Sequence, residues 1–235
     1  MKSEADSSYK RALARGDLEA KLDAIVIGSG AGGLTAAALL ALEGKKVRVL
    51  ERHAVIGGCL QVFKRPGFEW DVGLHYIGEV HRPGTLLSLF NKVTRGELKW
   101  QKMPDIYNKI AVGDEVFEYR SGSAAFREQM KEYFPEEADA IDRYIELVNE
   151  ASRPAGEFLA VRAMPGAFAD KAFDHVAPRF MPLAEKTTLE VLQSITRNEK
   201  LIAVLCGHFG DYASLPSVAS FSVHASVIRH YLDGA

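Results

Sequence analysis

Cysteine is scarce in this chain: Cys59 and Cys206 are the only two among 235 residues. Two thiols supply neither a disulfide framework nor a cysteine-rich metal site, and they fit a reducing compartment. Excess charge of either sign is missing too, since 29 Lys and Arg stand against 31 Asp and Glu for a net charge of −2. No long basic run appears, so nucleic-acid binding has no support. A long uninterrupted apolar run is also absent. The most apolar stretch, Ile25 to Leu42, is broken by glycines, which excludes it as a membrane span. The opening MKSEADSSYKRALARGDLEAK is polar and charged, without the apolar core of a secretory leader. These absences read together as a cytoplasmic protein. Hydrophobic residues make up 47%, enough for an ample core in one large domain or two small ones.

What is present is concentrated between Asp23 and Gly58. Ala24-Ile25-Val26-Ile27 is a short apolar run of the kind that forms a buried parallel strand. It enters Gly28-Ser29-Gly30-Ala31-Gly32-Gly33, a full G-x-G-x-x-G. Leu34 to Leu42 is rich in Ala and Leu, predicting a helix that stops at Gly44. Val47-Arg48-Val49-Leu50 reads as a second strand closed by Glu51. Strand, glycine turn, helix, strand and acid together form a dinucleotide-binding β–α–β unit. Gly28 permits the tight turn, Gly30 leaves room for a pyrophosphate, and Gly33 lets the helix pack on the sheet. The helix N-terminus offers free N–H groups to the phosphates. Glu51 is placed for a ribose diol, and its charge disfavours a 2′-phosphate.

Arg52-His53-Ala54-Val55-Ile56-Gly57-Gly58 follows, and here the chain resembles the flavoproteins that include amine oxidases, phytoene desaturases, carotenoid isomerases and retinol saturases. In that family a Gly pair after the ribose-binding Glu runs beside the FAD pyrophosphate. Many members carry Arg after the pair. Cys59 stands there instead, which leans toward the isomerase and saturase branch. A second resemblance lies in Asp71, Gly73 and Gly78, which match a flavin-adjacent Asp-x-Gly-x-x-x-x-Gly segment containing His75 and Tyr76. The resemblance implies FAD as cofactor and a hydrophobic polyene as substrate, desaturated, saturated or isomerised by flavin hydride chemistry. It implies cofactor contacts from Gly28, Ser29, Gly30, Gly32, Gly33, Leu34, Glu51, Arg52, Gly57, Gly58, Gly73 and His75. Two readings of His75 stand, a flavin-facing residue and a hydrogen-bonded core histidine. Spacing names no catalytic acid or base.

The remainder reads differently. Gln61–Lys64 and Phe68–Asp71 flank Arg65-Pro66-Gly67, a hairpin about a type II turn. A helix is expected from Leu86 to Leu98, then a hairpin of Ile106–Val112 and Glu115–Tyr119 about Gly113-Asp114. Pro135 opens a helix whose apolar face is Ala138, Ile141, Ile145 and Val148. Pro154 and Pro165 are expected to limit it. Thr187 and Glu190 spell a capping box, Asn198 a cap for Leu201–Cys206, and a last helix is expected from Pro216 to Tyr231. Met164, Phe168, Phe173, Phe180, Met181 and Phe221 form either core or the wall of a tunnel for a long apolar substrate. His208 and Asp211 are two potential ligands without a third, so no metal is expected.

The fold expected is α/β: an incomplete FAD-binding Rossmann-type parallel sheet, then a mostly helical substrate or cap region carrying a small antiparallel sheet. Residues 1–22 form an N-terminal extension with a short helix at Arg11–Ala20, 23–80 the cofactor segment, and 81–235 the cap. No second glycine-rich turn follows between 81 and 235, where the resembled family completes its cofactor domain from later sequence. The chain therefore reads as the N-terminal part of such an enzyme, with an open sheet edge and uncovered apolar surface. Two alternatives stay open: an amine-oxidase-type flavoenzyme, and a non-catalytic nucleotide-binding fragment. Membrane attachment stays open as well, because a lipophilic substrate makes a peripheral contact useful. The residues set no oligomeric state.

Overall fold

The computed structural model describes residues 21–74 and 76–235. The Arg11–Ala20 helix expectation and His75 lie outside the described residues. The chain divides into two compact units. One holds the described residues up to Ile77 together with Gly84–Lys99, and the other Gly78–Pro83 with Trp100–Ala235.

The first unit is built on the glycine turn. Strand β1 (Ala24–Ile27) leads to helix α1 (Ala31–Leu42) and strand β2 (Val47–Leu50). The strands pair in parallel, Ala24 opposite Val47 through Ile27 opposite Leu50. Helix α1 begins at Ala31, three positions before the sequence-based expectation at Leu34. Helix propensity placed the start after the glycines, whereas packing places Gly32 and Gly33 inside the first turn. Hairpin β3 (Val62–Arg65) and β4 (Phe68–Asp71) turns at Pro66-Gly67, where Gly67 takes φ +81°. Helix α2 (Thr85–Thr94) packs on α1. It ends before the expected Leu98, because Arg95 and Gly96 both turn left-handed and the Gly96 amide closes on the Asn91 carbonyl.

The second unit has the larger core. Strands β5 (Ile106–Val112) and β6 (Glu115–Arg120) form an antiparallel hairpin. Helices α3 (Ser123–Tyr133), α4 (Ala138–Arg162), α5 (Gly166–Ala184), α6 (Thr188–Ile195), α7 (Glu199–Leu205) and α8 (Phe221–Tyr231) follow. Of the expected stripe on α4, Ile141, Ile145 and Val148 are fully buried and Ala138 is half-buried, and Tyr144, which lies outside that expectation, is fully buried beside them. Pro154 does not limit that helix. It is buried within α4, and α5 carries Pro178 and Pro182 in its interior. An interior proline costs about 3 kcal/mol in an isolated helix, a cost offset here by the packing of α4 against α5 and α8. Pro165 does mark a boundary, as the N-cap of α5.

The caps read from sequence are present. Glu190 donates its amide to Thr187 Oγ1 at 3.1 Å, and its carboxylate accepts the Thr187 amide at 2.7 Å. Leu201 donates to Asn198 Oδ1 at 3.1 Å. Helix α8 starts at Phe221, not near Pro216. The carbonyls of Pro216 and Ala219 accept the amides of Leu189 and Thr188, each at 2.8 Å, and so are drawn away from any helix of their own. The aromatic and methionine set splits: Phe221 is core, Phe158 stacks on Phe180 at 4.2 Å, and Met164 and Phe168 are exposed. Among the described residues no helix is long and apolar enough to cross a membrane.

Candidate dinucleotide site

The site is set by four glycines with two different tasks. A Cβ on Gly28, Gly30 or Gly32 would meet nothing within 4 Å, so the concave side of the turn is open. A Cβ on Gly33 would stand 2.2 Å from the Gly28 carbonyl oxygen. Only glycine lets α1 approach the turn that closely. Gly28 itself takes φ +98° and donates its amide to the Leu50 carbonyl at 2.7 Å, locking the turn to β2. The first intrahelical bond at this end runs from Leu34 to Gly30, which leaves the Ala31, Gly32 and Gly33 amides of the first turn for an anion.

Glu51 closes β2 and faces this turn. Its Oε2 accepts the Ser29 amide at 2.8 Å and the Ser29 hydroxyl at 2.6 Å, and its Oε1 accepts the His53 amide at 2.7 Å. These bonds favour the charged form. The Ser29 hydroxyl foremost, then the His53 and Ser29 amides, bring the Glu51 carboxyl down to about 2. Arg52 adds its backbone amide, and its side chain is exposed. Gly57, at φ +116°, donates its amide to the Ser29 carbonyl at 3.0 Å and hydroxyl at 3.1 Å. Gly58 packs against Gly30, whose Cα a Cβ on Gly58 would approach to 3.0 Å. The structure thus brings Gly28, Ser29, Gly30, Gly32, Gly33, Leu34, Glu51, Gly57 and Gly58 together. Gly73 joins through Cys59, donating to its carbonyl at 3.0 Å with no space for a Cβ.

The Asp71, Gly73, Gly78 segment does not stay in one unit. Asp71 and Gly73 belong to the first, while Gly78 belongs to the second. There the Gly78 amide donates to His230 Nε2 at 2.9 Å. The second unit also holds polar groups without obvious spacing in the sequence. Tyr144 Oη lies 2.9 Å from His224 Nε2 and Tyr212 Oη 3.2 Å from Nδ1. Burial, reinforced by nearby His208, pushes His224 down to about 3, so it is neutral. His208 and Asp211 pair at 2.7 Å. Among the described residues no group of three His, Cys, Asp or Glu is placed to hold a metal ion. The central role of Ser29 escaped sequence reasoning, because its partners Glu51 and Gly57 are distant in the chain.

A parallel β–α–β unit with a glycine that must be glycine and an acid ending the second strand is a Rossmann-type dinucleotide-binding domain. Residues 26–93 match the family model of an NAD(P)-binding Rossmann-like domain. All-trans-retinol 13,14-reductase of Danio rerio is 36% identical over 222 residues, covering 91% of this chain and 37% of that protein. A chloroplastic prolycopene isomerase 2 from an Oncidium hybrid cultivar is 34% identical over 125 residues, 52% of this chain and 21% of that protein. The chain belongs to the family of these proteins, and spans well under half of their length. The cyclohexylamine oxidase of Brevibacterium oxydans superposes with a TM-score of 0.54 at 22% identity, covering 89% of this chain and 42% of that one. At that identity the likeness is one of fold.

Proposed function

We propose that this chain carries the ADP-binding part of an FAD site in an oxidoreductase acting on hydrophobic polyenes of the retinoid or carotenoid kind. The observation that carries this reading is the joined Ser29–Glu51–Gly57 arrangement beside the open glycine turn. Gly28, Gly30, Gly32 and the free amides of α1 would hold the pyrophosphate, and Glu51 the ribose. Gly57, Gly58 and Gly73 would flank the phosphates on the other side, with Leu34 and Arg52 at the margins. His75 remains a proposed contact of the flavin. The Glu51 charge disfavours a 2′-phosphate, which supports FAD over NADP. When bound, the flavin supplies hydride transfer, and the protein orients it and excludes water.

The helical second unit is proposed as the substrate-facing part, and the names of the retinol reductase and prolycopene isomerase relatives support a polyene there. A peripheral membrane contact fits such a substrate. The amine-oxidase alternative has support only from the fold. A second reading, nucleotide binding without catalysis, is favoured by the exposed apolar residues Ile25, Ile27 and Leu50 of the sheet. The test is the absorption spectrum of the purified chain followed by chromatography of released cofactor. A flavin spectrum with FAD released supports the proposal. Released NAD overturns the choice of flavin, and a protein that binds ADP but shows no redox change with polyenes supports the second reading.

A further inference from the structure

Ser29 is fully buried, yet it uses every polar atom it has. Its amide and hydroxyl donate to Glu51 Oε2 at 2.8 and 2.6 Å. Its hydroxyl oxygen and its carbonyl both accept the Gly57 amide, at 3.1 and 3.0 Å. One small side chain therefore ties the first glycine turn, the end of β2 and the second glycine turn. We infer that Ser29 is the positioning residue of the nucleotide site: it does not touch the cofactor but fixes the ribose-facing oxygen of Glu51 and sets Gly57-Gly58 beside Gly30. The inference rests on the nucleotide reading proposed above.

The geometry fixes which oxygen does what. A carboxylate oxygen has two lone pairs, and both of those on Oε2 are taken by Ser29. A ribose hydroxyl is left with Oε1, which accepts the His53 amide at 2.7 Å. The carboxylate is thus presented in one orientation. Few charged groups face Glu51. Strand β1 and helix α1 contain no charged residue, Arg48 of β2 alternates onto the other face, and the following turn contributes Arg52 and His53. The His53 ring is turned to Val55, with Nδ1 3.2 Å from its carbonyl oxygen and its amide. The charged state of Glu51 is therefore held by hydrogen bonds, with the Ser29 hydroxyl as the largest cause. Removing that hydroxyl returns the carboxyl toward its ordinary range.

The test uses the full chain, the substitutions Ser29→Ala and Glu51→Gln, and the double variant. The Glu51 carboxyl is titrated by carbon NMR, and FAD and ADP affinities are measured from pH 7 to pH 4. In the unsubstituted chain affinity stays flat across that range. In Ser29→Ala the Glu51 titration moves up and FAD affinity falls about fourfold between pH 6 and pH 4, as for a carboxyl of ordinary acidity. On the Glu51→Gln background Ser29→Ala costs less than about twofold, because a residue acting through another is not additive with it. An unmoved Glu51 titration in a folded Ser29→Ala chain overturns the inference. So does an equal loss from Ser29→Ala on both backgrounds. If the unsubstituted chain binds neither FAD nor ADP while Ser29→Ala still moves the Glu51 titration, the cofactor reading fails and the Ser29–Glu51 coupling stands.

Discussion

Ile25 and Ile27 on β1 are 57% and 87% exposed, whereas Ile141 and Ile145 on α4 are fully buried. The same side chain is spent in opposite ways in the two units. Two parallel strands with α1 beside them leave apolar positions uncovered, while α4 packed against α5 and α8 encloses Ile141, Ile145 and Val148. The chemistry is distributed the other way. The unit with the thinner core carries the glycine turn and the charged Glu51, and the well-packed unit keeps His224 neutral and pairs His208 with Asp211. In this chain site geometry and core packing are separable, so a substitution should damage one without the other.

The largest effect expected is on the packed side. Ile145→Ala removes a fully buried side chain and should cost about 2–5 kcal/mol, read as a lower urea midpoint for the second unit. FAD affinity below the transition should be unchanged, and a parallel loss of both would break the contrast. The converse is Gly33→Ala, whose new Cβ would stand 2.2 Å from the Gly28 carbonyl. It should cost about 1–3 kcal/mol of local strain and abolish measurable nucleotide binding, with the urea transition of the second unit unmoved. The smallest test sharpens the comparison by pH. His224 is held at about 3, below the ordinary 6.5, so the unfolded chain binds the proton more readily. Stability of the second unit should fall as pH drops from about 6.5 toward 3, by at most about 1.4 kcal/mol per pH unit from this group. Denaturation curves of His224→Phe should show a shallower fall. Glu51, whose folded value lies near 2 against 4.5, gives a stabilising contribution lost only below pH 4.5.

The glycine turn was legible in the sequence because its cause is local: a missing Cβ matters wherever backbone meets backbone. The capping box at Thr187 and the cap at Asn198 were legible for the same reason. Pro154 was misread because its cost is local and the packing that offsets it is not. The start of α8 was misread because the carbonyls of Pro216 and Ala219 are claimed by Leu189 and Thr188. Ser29 stood within the recognised motif, but its bonds to Glu51 and Gly57 needed the folded chain. The Tyr144–His224–Tyr212 network leaves no spacing pattern at all, since it joins three elements.

The exchange of bonds between α6 and α8 also constrains how the second unit can form. Thr188 donates to Ala219, Phe221 donates to Lys186 at 2.9 Å, and the Ser220 hydroxyl donates to Ala184 at 2.7 Å. Each helix therefore begins on groups supplied by the segment ahead of the other. Nucleating a first turn is the unfavourable step of helix formation, and here neither first turn is complete until both are present. Helices α6 and α8 are in that sense one cooperative event, and fraying at the start of either should propagate to the start of the other.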